Sequence, residues 1–362
     1  MMKIGIVTPY DLTNYGNRLQ NYALYYVLKT KFHCEAKTLV PYEMKPYDDR
    51  NYIAWLKKQI IRKACIFPEF AAKRFGTTIT RWAAFLNWDR KIPTNVYYQH
   101  KKLPVNIKGE FDYFFCGSDQ VWNYRFSSPR FEDYFLKFAD SKQKVAISAS
   151  FGLDDIPDGW KETYVDGLAD FAHISVREEA GQRIIQELFG INVPVLIDPV
   201  MMLSKEEWIK VSKKPRIDCS KSYILKYYLG GESEKDRIDE WAKTNGYEIY
   251  ELLNDSIPEL YSAGPGEFIS LISHAAMICS DSFHCIAFSI IFSRPFIVFE
   301  RQGKANCMKS RLETLLNKFG FQNRWKHLLN ESEYLSCDYS NVDERLKMEQ
   351  KKFLEYIRDI LK

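Results

Sequence analysis

Short runs of apolar, β-branched and aromatic residues alternate along the chain with stretches whose apolar positions recur at helical spacing, the pattern of parallel sheets joined by crossover helices. In the first half the runs predict strands over Lys3–Val7, Glu35–Val40, Asp112–Cys116, Lys144–Ser148, His173–Val176 and Val193–Ile197. In the second half they predict Tyr223–Tyr228, Tyr247–Tyr250, Ala276–Cys279 and Phe296–Phe299. Leu19, Tyr22, Ala23, Tyr26 and Val27 share one face of a first crossover helix. Further helices are expected over Glu232–Thr244, Phe283–Phe292, Leu312–Phe319 and Asp343–Leu361, the last amphipathic and long enough to cross back onto the first half. Asp198-Pro199 closes the first series, and Ser204 before Lys-Glu-Glu reads as the N-cap of a new helix. The expected fold class is therefore α/β, with two Rossmann-like domains of parallel sheet, 1–198 and 199–362. An insert over about 42–108 breaks the alternation: it reads as helical, basic and aromatic, with Trp55, Phe67, Phe70, Trp82 and Trp88 among Lys and Arg. Such a segment either lies on an anionic membrane surface or caps the sheet edge as a solvated helix.

Composition narrows the picture. With 362 residues the chain suits two cores, and 46% hydrophobic with 27% charged residues excludes wholesale disorder. Lys+Arg 51 against Asp+Glu 47 gives +4, too balanced to argue for a nucleic-acid partner. Eight scattered cysteines without a C-x-x-C pair read as reduced, buried thiols and argue against a zinc site. The N-terminus runs straight into a strand and no apolar run reaches bilayer length, so a cytoplasmic protein is expected.

In open parallel sheets, ligands bind beyond the carboxyl ends of strands, where helix N-termini offer N–H donors. After the first strand come Asn14, Gly16 and Asn17: Gly16 supplies backbone freedom, and either Asn can cap the helix or face a ligand. There is no G-x-G-x-x-G fingerprint. After the third strand, Ser118, Asp119, Gln120 and Asn123 beside Trp122 suit sugar hydroxyls, or merely cap a helix. Arg177 follows the strand His173–Val176 and either grips a phosphate or carboxylate or pairs with Glu178 or a neighbouring acid. The strongest local signal is Ser280-Asp281-Ser282-Phe283-His284, a polar turn opening an almost wholly apolar helix. A helix that apolar is buried, so its polar first turn must face something specific. The helix dipole is expected to keep His284 neutral and ready to act as a base. Cys285 points about 100° away from His284 and reads as a core thiol. Ser310-Arg311 opens another helix, where a cation is disfavoured unless an anion is held nearby.

These stretches, in this order, resemble the polysaccharide pyruvyl transferase family. The matches are Asn14-Tyr15-Gly16-Asn17, Gly117 to Asn123, Ser148 to Gly152, Ile174 to Glu178, Asp198-Pro199 and Ser280 to His284, within residues 3 to about 320. The resemblance implies a glycosyltransferase-B-like pair of domains and phosphoenolpyruvate as co-substrate, with no metal or other cofactor. It implies a sugar acceptor, lipid-linked or free, of a capsule, exopolysaccharide or cell-wall glycan, with the inner membrane face as a peripheral contact. It places Arg177 on a donor-binding arginine and His284, with Asp281, on the catalytic side chains. Ser280, Ser282, Ser310, Arg311, Asn14, Gly16 and Asn17 then fall on the donor side, and Ser118, Asp119, Gln120 and Asn123 on the acceptor side. Two departures stand out: Ser282 sits where some relatives carry Arg, for which Arg311 would substitute, and Cys285 sits where Gly is common. The alternatives are a nucleotide-sugar glycosyltransferase, for which no base or ribose site is legible, and a non-catalytic glycan-binding or assembly protein.

Overall fold

The computed structural model describes residues 1–11, 13–40, 68–96, 107–126, 131–230, 235–301 and 309–362. Among the described residues, ten strands form two parallel sheets. The first is ordered β3-β2-β1-β4-β5-β6, from β1 (Lys3–Val7), β2 (Glu35–Val40), β3 (Thr94–Val96), β4 (Tyr113–Cys116), β5 (Lys144–Ala149) and β6 (His173–Val176). The second is ordered β10-β9-β7-β8, from β7 (Tyr223–Tyr227), β8 (Glu248–Glu251), β9 (Met277–Ser280) and β10 (Phe296–Val298). The inner strands are continuous apolar runs because helices cover both faces; every residue of β5 and β7 is buried.

The helices are α1 (Tyr15–Lys31), α2 (Pro68–Asp89), α3 (Asp158–Leu168), α4 (Glu179–Phe189), α5 (Lys205–Val211) and α6 (Lys235–Thr244). They continue with α7 (Pro258–Tyr261), α8 (Pro265–His274), α9 (Phe283–Ile291), α10 (Lys309–Phe319) and α11 (Val342–Ile360). Ser204 caps α5 with a capping box closed by Glu207. Helix α1 packs on α8 and α9, so one apolar core runs from Ile4 and Leu19 through Phe268 to Phe288. From α11, Tyr356 donates to the Ala146 carbonyl of β5, and the Ile360 carbonyl accepts from Tyr113 of β4.

Each sheet reverses its strand order once. β1 lies between β2 and β4, and β7 between β8 and β9. The crevices beyond β1 and β4 and beyond β7 and β9 are therefore the topological switch points.

Two strand expectations change. Val193–Ile197 is not a ladder strand: it makes a single bridge, Val176 to Val195, because Pro194 has no N–H to donate. The short edge strand β3 is absent from the apolar pattern because Thr94-Asn95-Val96 carries only one apolar residue. In the insert, Trp55 to Lys63, on which a membrane-docking reading rests, lies outside the described residues. The described part of α2 turns its aromatics inward: Trp82, Phe85 and Trp88 are buried. Arg81 is buried with them and donates to the Thr13 and Tyr261 carbonyls and to Tyr15 Oη. Among the described residues no helix is long and apolar enough to cross a membrane.

Candidate functional site

The loops at the two switch points meet. From the first sheet come the start of α1 and the Gly117–Asn123 turn after β4; Asn17 Nδ2 donates to Asp119 Oδ2 at 3.3 Å. From the second comes the turn after β9, where the Asp281 carboxylate accepts from the N–H groups of Leu229 (2.8 Å) and Gly230 (2.7 Å) after β7. His284, in the first turn of α9, joins the two. Its ring packs so closely on Gly16 that a Cβ there would lie 2.0 Å from Nδ1. Gly16 therefore serves close approach, not the backbone freedom expected of it, since it sits inside the regular helix α1.

On its other nitrogen His284 faces a carboxylate that sequence reasoning treated only as a turn residue. Nε2 lies 3.5 Å from Asp198 Oδ2. Asp198 is buried and accepts from Arg177 Nη1 at 2.6 Å, Ser118 Oγ at 2.9 Å and the Val200 N–H at 3.0 Å. Burial would raise its carboxyl, but the His284 imidazole and then the Arg177 guanidinium outweigh burial and hold it well below the usual carboxylate range. An ionised carboxylate thus stands beside an imidazole that the dipole argument alone had left without a partner.

Arg177 is held on all sides. Its Nη2 is 3.6 Å from Asp119 and its Nε 3.9 Å from Glu178, and its guanidinium stacks over the Phe283 ring at 4.2 Å. Among the described residues Nε and Nη2 nevertheless have no hydrogen-bond acceptor. The pairing with Glu178 that the sequence suggested is thus the weakest of three, because Glu178 Oε1 is engaged by Ser150 Oγ and the N–H groups of Phe151 and Gly152. Arg311 is buried beside this cluster. Burial, then the neighbouring Arg177 and Arg301 cations, push its guanidinium down to about 9. The Asp119 carboxyl is held below its ordinary value: burial opposes this, and His284, Arg177 and Arg311 outweigh it.

The remaining expected residues divide. Ser280 Oγ is used inside the fold, donating to the Tyr227 carbonyl and accepting from Ser282 N–H; Ser282 is the N-cap of α9 without a side-chain cap bond. Asn14 caps α1 at an exposed position, accepting from Asn17 N–H. Ser118 is fully buried on Asp198, its N–H donating to Gln20 Oε1, so Gln20 belongs to the site's support and had no signal beyond its helical position. Asn123 is buried and donates to Gln120 Oε1, while Gln120 stays half-exposed. Asp281 faces the β7 loop and Arg301 Nε, 3.5 Å away, and the carboxylate beside His284 is Asp198. Ser310 does not point into the cluster but lines a cavity between α4 and α10. The Cys285 thiol is fully buried and pushed up to about 12 by that burial, as a core thiol should be.

A family model described as polysaccharide pyruvyl transferase matches residues 14–303. No curated protein sequence matches the chain. Among solved structures, UDP-GlcNAc 2-epimerase from Neisseria meningitidis bound to UDP-GlcNAc is similar at 12% identity, over 100% of this chain and 99% of that one, with a TM-score of 0.49. The E. coli heptosyltransferase WaaC with ADP is similar at 10% identity, over 85% and 90% of the two chains, with a TM-score of 0.36.

Proposed function

The chain belongs to the polysaccharide pyruvyl transferase family, and from that premise we propose that it moves the enolpyruvyl group of phosphoenolpyruvate onto two hydroxyls of one sugar, forming a pyruvate ketal and releasing phosphate. A first sugar hydroxyl adds to C2 of the enol phosphate as C3 takes up a proton. The C2–O bond to phosphate then breaks, and a second hydroxyl adds to C2. One hydroxyl proton thus ends on C3, making the methyl group, and the other leaves with phosphate. The product belongs to a capsular, exopolysaccharide or cell-wall glycan.

The observation that carries the reading is the buried line Arg177–Asp198–His284. The reaction needs a positioned group that carries a proton to C3 and takes one from a hydroxyl. We assign that role to His284, whose Nε2 lies 3.5 Å from Asp198, itself held by Arg177. The donor's phosphate and carboxylate fall to Arg311, to the Nε and Nη2 of Arg177 and to the start of α9. A buried donor without an acceptor costs about 1–3 kcal/mol, which an anionic oxygen would recover. Asp119 and Gln120, at the edge of the cleft, face the acceptor.

The test is to incubate the protein with phosphoenolpyruvate and galactose-, mannose- or glucosamine-type glycosides. Acceptor-dependent phosphate release with a ketal-sized mass gain on the sugar is expected. Turnover of a nucleotide sugar with no use of phosphoenolpyruvate would overturn the reading. His284→Ala is expected to abolish phosphate release while the circular dichroism spectrum and melting cooperativity stay native. Arg177→Ala is expected to raise the KM for phosphoenolpyruvate.

A further inference from the structure

A cavity of about 270 Å³ opens between the starts of α4 and α10. It shares its walls with the charged cluster: Glu179 and Ser310 line it, while their chain neighbours Glu178 and Arg311 belong to the cluster. The walls are tied together, since the Glu179 N–H donates to Thr314 Oγ1 across the cavity's inner end. Its lining is arranged for a ligand. Ser310 is 7% exposed, and its buried hydroxyl has no hydrogen-bond partner among the described residues. The rim carries Glu179, Arg183, Glu313, Asn317 and Gln322, all exposed, and buried Trp325 supplies an apolar wall.

The chemistry of that lining selects the occupant. Glu179 and Glu313 face Arg183 and Lys309, the latter 3.7 Å from Glu313, so the rim carries no excess of positive charge with which to hold a highly charged anion. Carboxylates, amides and a hydroxyl, each able to meet an O–H group, together with an indole wall suit a ring that bears hydroxyls on its edge and C–H groups on its face. The volume lies just under the range of drug-sized pockets and suits a small ring. We propose that this cavity binds a neutral pyranose unit of the acceptor glycan, bringing its chain past the Arg177–His284 cluster. This rests on the pyruvyl-transfer reading.

The experiment uses the full chain and three probes: methyl β-galactoside, methyl α-mannoside and methyl N-acetylglucosaminide. Saturation-transfer NMR reads binding, and steady-state kinetics reads use of any glycoside that is pyruvylated. Asn317→Trp fills the cavity from an exposed position and spares the core; Ser310→Val removes the hydroxyl and keeps the shape. The wild type is expected to transfer saturation to at least one glycoside. Asn317→Trp should lose that signal, Ser310→Val should weaken it, and the KM for the used glycoside should rise by about tenfold or more, equivalent to about 1.4 kcal/mol. The KM for phosphoenolpyruvate should not follow. Equal glycoside signals in the wild type and both variants, or no glycoside signal in the wild type, overturn the assignment. A wild type that binds glycosides in this cavity yet releases no phosphate from phosphoenolpyruvate sinks the pyruvyl reading instead.

Discussion

At Gly16 a single hydrogen atom sets the geometry of the site. In an ordinary helix Ala is more stable than Gly by about 0.5–1 kcal/mol. Here an added Cβ would meet three ring atoms of His284 at 2.0–2.5 Å, so Gly16→Ala must move the imidazole off Asp198. The expected outcome is a loss of kcat of about two orders of magnitude or more, with a lower melting temperature in place of the usual gain; a more stable and fully active variant would refute the contact. Much of this residue scale is legible in the sequence. His284 stands out because a strand, a polar turn and an apolar helix leave its side chain one direction to point. Arg177 stands out as a strand-end arginine, but its partners do not. Asp198 is hidden because Asp before Pro reads as chain punctuation, and only the fold brings it from the first series of elements to His284. The reason for Gly16 is hidden likewise, since a close approach between residues 16 and 284 leaves no local trace.

Among the elements, those with long apolar runs match their sequence patterns within a residue or two, because burial on both faces writes itself into every position. The elements that escape are held by few contacts: the edge strand β3 and the lone bridge at Val195. Helix α11 carries a testable charge. Glu349 is buried between Lys318 Nζ (2.5 Å) and Lys352 Nζ (2.5 Å). Burial opposes ionisation, but the two ammonium groups outweigh it and hold the carboxyl below its ordinary value. A carboxyl depressed by folding contributes stability above its unfolded value, about 4.3, and loses that contribution as pH falls through the folded value. Glu349→Gln should therefore destabilise the protein at pH 7 and progressively less below pH about 4, as read by urea unfolding at several pH values. A gap that stays constant with pH would mean that the carboxylate's charge has no part in docking α11.

For the whole molecule, the two parallel sheets were legible, because the alternation of elements needs no long-range information. How the cluster closes was not, since Arg177, Asp198, His284 and Arg311 come from four separate connections. That cluster buries Arg177 and Arg311 beside the Asp119, Glu178 and Asp198 carboxylates. Phosphoenolpyruvate should raise the melting temperature with concentration, by the equivalent of about 2.7 kcal/mol at a hundredfold excess over its Kd. Arg311→Ala should respond less to it. An identical response in Arg311→Ala would remove that residue from the donor site.

The imidazole that rests on Gly16 belongs to the second sheet's connections, and both surfaces it touches belong to the first sheet and the turn that follows it. Its position is therefore a gauge of how far the halves stand apart. Separating these parts of the chain would lift the ring from Gly16 and from Asp198 together, so the His284–Asp198 contact stands only while they are packed.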